Sequence, residues 1–131
     1  MKQTLNYKIN YIRFVVGSDN DDHRKLTGII TESQILISNT RLEEYEVKCI
    51  EEIFDWFNCN LKVPPYSQNK KLINSAAYFK ETATKHINKM WDLVHFLKEN
   101  NKQVKILKSK NPGEILYEDE YQIVVREYKN I

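Results

Sequence analysis

A regular hydrophobic spacing in the second half of the chain constrains the fold more than any other feature. Apolar side chains recur there at steps of three or four residues, at Phe79, Ala83, Ile87, Met90, Val94 and Leu97. This spacing is the period of an α-helix with one buried face. It predicts a long helix over residues 75–99, whose apolar stripe must pack on another element.

A second helix is predicted over residues 41–58. Thr40 and Glu43 have the spacing of a capping box, which marks a helix start. Apolar side chains follow at helical spacing, at Leu42, Tyr45, Cys49, Ile53, Trp56 and Phe57. Residues 29–37 fit a strand or a helix, and the Thr31-Glu32-Ser33-Gln34 segment favours a short helix.

Three other segments have the pattern of strands. Residues 5–16 alternate and then become apolar on both faces, which is typical of a central strand. Residues 103–108 predict a lysine-rich strand, and Asn111-Pro112-Gly113-Glu114 fits a type II turn that opens a hairpin. Residues 115–127 keep one apolar face and fit either one long strand or two.

These elements predict the α+β class. We expect two long antiparallel helices packed on a three- to four-stranded, mainly antiparallel sheet, built from the N-terminal strand and a C-terminal meander. The 131 residues, of which 41% are hydrophobic, suit one domain over residues 1–131.

The sequence contains no apolar run of the length that a bilayer span needs, so no membrane association is expected. Cys49 and Cys59 fall in the same predicted helix, about 15 Å apart at 1.5 Å per residue, which is too far for a disulfide. We interpret them as small apolar side chains in a reducing compartment, and a cytoplasmic location is therefore expected.

The charged residues are sorted along the chain. Residues 1–60 hold 7 basic and 10 acidic side chains, residues 61–113 hold 11 and 3, and residues 114–131 hold 2 and 5. The first and second thirds correspond mainly to the two predicted long helices. The simplest interpretation is that these helices lie antiparallel with complementary charged flanks, and an acidic partner is the alternative.

The leading functional hypothesis is a non-enzymatic binding or assembly domain. On a helical wheel, Tyr78, Lys85, Lys89 and Phe96 form one face of the predicted helix 75–99, with Tyr66 of the Pro-Pro connector as a lip. Such a face suits a protein partner or self-association into a homo-oligomer. Nucleic acid is a weaker alternative, because base readout depends on arginine and no nucleic-acid motif is present.

A loop rich in carboxylates gives the second hypothesis. Asp19, Asp21, Asp22 and His23 could bind a divalent metal in a phosphoester hydrolase or nuclease, joined by Glu118 or Glu120. The loop lacks the glycine and glutamate of an EF-hand, so a solvated acidic turn is the competing interpretation. No other cofactor is expected, and whether the protein is an enzyme stays undecided.

The third hypothesis is a small-ligand pocket around Arg13 and Glu46. Each is the lone charge on an otherwise apolar face, so they could pair in the core or form the polar floor of a pocket beside Tyr45 and Trp56. On the second helix, His86 falls at the edge of the apolar stripe. It is interpreted as a core-edge histidine that hydrogen-bonds to the backbone.

Overall fold

The computed structural model describes residues 9–17, 26–39 and 41–128. They form an α+β domain with three α-helices and a six-stranded antiparallel sheet. The helices are α1 (Ile29–Asn39), α2 (Glu44–Asn60) and α3 (Thr84–Glu99), and a 3-10 turn covers Lys70–Leu72. The strands are β1 (Tyr11–Val16), β2 (Thr27–Gly28), β3 (Ala76–Lys80), β4 (Val104–Ser109), β5 (Gly113–Glu118) and β6 (Gln122–Glu127).

The α+β class is therefore confirmed, and the finer expectation is only roughly met. The short helix α1 is present where the sequence favoured one, and β4 lies within a residue of its predicted position. Residues 115–127 form parts of two strands joined at Asp119, rather than one long strand. The sheet is larger than predicted because residues 76–80, expected in a helix, form a strand, and Thr27–Gly28 adds a short one.

The long helix predicted over residues 75–99 begins only at Thr84. β3 precedes it and pairs with β6 along Ala76–Phe79 and with β1 at Phe79 and Lys80. Phe79 and Ala83 are both buried, the first from the strand and the second from the position before the helix. Their four-residue spacing therefore resembled one helical turn although a change of element lies between them.

Strand β1 is an interior strand that pairs along both of its edges. β4 pairs with it over its whole length, from Tyr11 opposite Ser109 to Val16 opposite Val104. Its other edge is shared, because β3 pairs at Tyr11 and Ile12 and β2 pairs at Val15 and Val16. No described strand pairs with Arg13 or Phe14 on that side, so the sheet forks there.

The sheet is curled. β4 and β5 stand at opposite ends of the order β4-β1-β3-β6-β5, so the hairpin predicted between them is wrong. Only residues 110–112 separate these strands, and four backbone steps reach at most about 14 Å. The two edges must therefore approach each other at this corner. The Pro112-Gly113 turn carries the chain from one edge to the other.

The curl gives the sheet two apolar faces. The helices cover one face, where Phe14, Phe79, Phe57 and Leu97 belong to the main core. The concave face holds a second buried cluster of Ala76, Tyr78, Ile123 and Val125, with Tyr11 and Leu107 packed against it. This explains why Ile123-Val124-Val125 is apolar at every position, since both faces of β6 are buried.

Helix α2 begins at Glu44, three residues later than predicted. Its capping box uses Glu43 and Glu46, not the predicted pair. Cys49 and Cys59, interpreted from the sequence as small apolar side chains, are free and exposed. Within the described residues no salt bridge joins α2 to α3. Lys89 of α3 instead lies over the Trp56 ring of α2, 5.6 Å from its centroid.

No helix in the described part of the chain is long and apolar enough to cross a membrane.

Candidate functional site

A cavity of about 770 Å³ opens at the fork of the sheet. It extends to the start of α1, the second half of α2 and the connector of residues 61–75 that leads to β3. Its size lies within the range of small-molecule sites, about 300–1,000 Å³. We call it the fork cavity.

The lining of the fork cavity is cationic. Arg13 and Lys62 contribute positive charge, and none of the described lining residues is an aspartate or glutamate. The neutral polar side chains are those of Thr31, Gln34, Asn58, Tyr66, Ser75 and Gln122. Both cations would therefore attract an anion in this cavity, and no carboxylate among the described lining residues would repel it.

Arg13 is half-buried, and no described carboxylate forms an ion pair with it. The expected structural pair with Glu46 is absent. Glu46 lies at the first turn of α2, where its Oε1 accepts a 3.1 Å hydrogen bond from the backbone N–H of Glu43. Glu46 lies on the same face of α2 as Ile50, Ile53 and Phe57, as the helical wheel predicted, but in the first turn of the helix it is only half-buried. At the true start, its carboxylate satisfies a free N–H group and complements the helix dipole.

Tyr66 lies on the connector and lines the same cavity as Arg13. Burial raises the pKa of its hydroxyl, and the positive charge of Arg13 partly offsets that rise. The hydroxyl is therefore a neutral donor at physiological pH. Pro64 is buried, and its neighbour Val63 is exposed, so the Pro-Pro segment fixes the path of this rim.

The remaining wall is apolar and rich in rings. Phe54 and Phe57 reach it from α2, Phe79 from β3 and Met90 from α3. Phe57 and Phe79 lie 6.2 Å apart between ring centroids, with their planes 30° from parallel. Such a wall favours a flat apolar body.

Gln122 at the start of β6 supplies a fixed polar group. Its side chain is 4% exposed, and its Nε2 donates to the Lys62 carbonyl oxygen at 2.7 Å and to Asp119 Oδ2 at 3.0 Å. Asp119 Oδ1 accepts from the backbone N–H groups of Tyr121 and Gln122, and the Tyr117 hydroxyl donates to Oδ2. Burial acts to raise the pKa of Asp119, but these hydrogen bonds outweigh it and hold the pKa below its usual value.

The structure separates the residues of the predicted binding face. Tyr78 lies on β3 and is buried, and its hydroxyl donates a 2.8 Å hydrogen bond to Glu127. Burial, followed by this hydrogen bond, raises the pKa of Tyr78 strongly. Lys85 is exposed on α3, Lys89 contacts Trp56, and Phe96 packs against the main core. Tyr78 is thus not part of a helix face with the other three.

The predicted metal ligands Asp19, Asp21, Asp22 and His23 lie outside the described residues. Glu118, one of their suggested companions, forms a 2.7 Å ion pair with Lys80, and Glu120 is exposed at the β5–β6 turn. Within residues 9–17, 26–39 and 41–128, no group of three His, Cys, Asp or Glu side chains is arranged to hold a metal ion.

His86 is buried and binds the backbone as predicted. Its Nε2 donates a 2.8 Å hydrogen bond to the Asn60 carbonyl oxygen at the end of α2. Trp56 and Tyr121 contact its ring, at 4.9 and 4.3 Å between centroids. His86 therefore ties α3 to the end of α2.

Sequence reasoning identified Arg13 and Tyr66 separately and missed Gln122. Tyr45 and Trp56, expected beside Arg13, do not line the cavity, and Phe54 and Phe57 of the same helix do. One signal could have identified Gln122. It immediately precedes three consecutive apolar residues of a strand buried on both faces, so a polar side chain there had to be buried as well.

No protein-family model, no curated protein and no solved structure matches this chain.

Proposed function

We propose that this protein is a binding domain for a small organic anion with a flat apolar body, held in the fork cavity. The observation that most supports this proposal is the state of Arg13, a half-buried cation without an ion-pair partner among the described residues. The described wall of the cavity that it lines contains no carboxylate. A guanidinium binds carboxylate or phosphate through two parallel hydrogen bonds. The ring-lined side of the cavity suits the rest of such a ligand.

The side chains divide the cavity between two kinds of contact. Arg13 and Tyr66 would bind the anionic group, the first by charge and the second by its hydroxyl. Phe54, Phe57 and Phe79 would cover the apolar body. Burial of a ring supplies much of the affinity in sites of this kind, and the few polar groups fix its orientation.

The probe 2-naphthoate tests this function against 2-naphthamide, which has nearly the same shape and no charge. Calorimetric titration should give tighter binding of 2-naphthoate to the wild-type protein. Arg13→Met should weaken 2-naphthoate by roughly 10- to 100-fold, because a hydrogen-bonded charge pair is lost. It should leave 2-naphthamide nearly unchanged.

Arg126→Met is the matched control. Arg126 is exposed on β6, 3.4 Å from Glu114, and does not line the cavity. Its replacement should leave both affinities unchanged. Equal loss in the two variants, or wild-type binding without preference for the charged probe, would contradict the proposal. A parallel titration with 2-naphthyl phosphate distinguishes a carboxylate site from a phosphate site.

The other two hypotheses stay predictions. Partner binding through Lys85, Lys89 and Phe96 receives less support, since Lys89 and Phe96 already have partners within the chain. Lys85→Glu combined with Lys89→Glu and light scattering tests self-association. For the metal hypothesis, Mg²⁺, Mn²⁺ or Ca²⁺ should raise the thermal unfolding temperature of the wild type and raise that of Asp21→Ala less. If none of these metals shifts the unfolding temperature of the wild type, the hypothesis is wrong.

A further inference from the structure

We infer that Gln122 makes the fork cavity selective for anions that also carry a hydrogen-bond donor, an N–H or O–H group on the apolar body. This inference rests on the proposed function, because it specifies the ligand of the same site. The buried amide of Gln122 has no partner among the described residues for one of its two ends.

Both N–H groups of the Gln122 amide are occupied. One is donated to the Lys62 carbonyl oxygen and the other to Asp119 Oδ2. The two partners are acceptors only, since one is a backbone carbonyl and the other an ionised carboxylate. The amide therefore cannot be rotated by half a turn, because its oxygen would then face both acceptors. Its orientation is fixed by its surroundings.

The remaining polar atom of the amide is the acceptor Oε1. No described donor hydrogen-bonds to it, although the side chain is 4% exposed. It is not sealed in the core, because the fully buried side-chain atoms without a partner in the described chain are Ser33 Oγ and His86 Nδ1. Gln122 itself lines the fork cavity, and we therefore infer that its Oε1 acceptor faces the cavity.

A ligand that fills the cavity would exclude solvent from this acceptor. A donor on the ligand restores the hydrogen bond, whereas a ligand without one leaves a buried acceptor unpaired. Gln122 shares the helix-covered face of the sheet with Phe79, its cross-strand partner, while Arg13 is on a strand beyond β3. The donor should therefore be carried by the apolar body, away from the anionic group.

Three rigid probes test this selectivity. They are 6-hydroxy-2-naphthoate, which has a donor, and 6-methoxy-2-naphthoate and 2-naphthoate, which have none at that position. The wild-type protein should bind the hydroxy compound roughly 10- to 100-fold more tightly than either of the others. Gln122→Met should reduce this ratio to near one while 2-naphthoate still binds.

The outcomes separate the two claims. If 2-naphthoate binds the wild type and the hydroxyl group adds no affinity, the donor selectivity is wrong and the anion site stands. If none of the three binds, both claims are wrong. The wild-type series decides the question even when Gln122→Met does not fold. Gln103→Met is the control, because Gln103 is exposed and does not line the cavity, so its replacement should leave the ratio intact.

Discussion

The Gln122 side chain donates a 2.7 Å hydrogen bond to the backbone carbonyl oxygen of Lys62, 60 residues earlier in the chain. This bond fastens the connector after α2 to the first residue of β6. The same amide also binds Asp119 in the β5–β6 turn. One rim of the fork cavity is therefore positioned by a hairpin turn, so changes in that turn should be felt at the cavity.

Removal of the Asp119 carboxylate should destabilise the protein. Asp119→Ala deletes acceptors for four hydrogen bonds, including that from Gln122, and we expect a loss of about 1–3 kcal/mol in the free energy of unfolding. Urea unfolding measures the change. Glu120→Ala, at the exposed next residue, should alter stability by less than about 0.5 kcal/mol. Similar losses in both variants would show that the turn does not depend on this carboxylate.

The contribution of Asp119 should also depend on pH. Its folded-state pKa is lowered relative to the unfolded chain, so the stabilisation is fully present above the unfolded value, near 4. It is lost as the pH falls through the folded pKa. The stability difference between wild type and Asp119→Asn should therefore shrink between pH 5 and pH 3, as followed by urea unfolding. A difference that grows on acidification would have the wrong sign.

Gly113 and Gly28 should respond very differently to a methyl group. A Cβ at Gly113 would clash with the backbone carbonyl oxygen of Arg126, and backbone atoms of a paired strand cannot easily move aside. Gly113→Ala should cost about 1–3 kcal/mol through overpacking. A Cβ at Gly28 meets no atom within 4 Å, so Gly28→Ala should be nearly neutral. Thermal unfolding of the pair checks this, and a neutral Gly113→Ala would contradict the close β5–β6 contact.

The concave face should behave as a true core. Ile123 is fully buried there, and Ile123→Ala should lower the free energy of unfolding by about 2–5 kcal/mol. Ile115, nearby on β5, is 47% exposed, and Ile115→Ala should cost less than about 1 kcal/mol. Chemical denaturation of both variants tests the curl of the sheet. Comparable small losses would mean that this face is open to solvent.

The local elements were easier to predict than their pairing. Helix α1 and strand β4 follow from nearby residues, whereas the position of β4 beside β1 depends on contacts about ninety residues apart. The Pro112-Gly113 turn indicates a change of direction. Such a turn does not specify whether the strands that flank it pair with each other or lie at opposite edges of a curled sheet.

The site was only partly predictable for the same reason. Arg13 was recognisable as a charge on an apolar strand, but much of the cavity wall came from α1, α2 and β6, which only the fold brings together. The Glu46 error had a local origin, because this residue lies in the first turn of α2, where its carboxylate caps the helix instead of entering the core. Helix ends are the least certain part of a pattern, and this carboxylate lay at one.

A crystal structure of the protein with 2-naphthoate tests the central claim most directly. We expect the probe in the fork cavity, with its carboxylate within hydrogen-bonding distance of the Arg13 guanidinium and its rings against Phe57 and Phe79. Binding of the carboxylate elsewhere, or a cavity that stays free of the probe at saturating concentration, would contradict the assignment of this cavity as an anion-binding site.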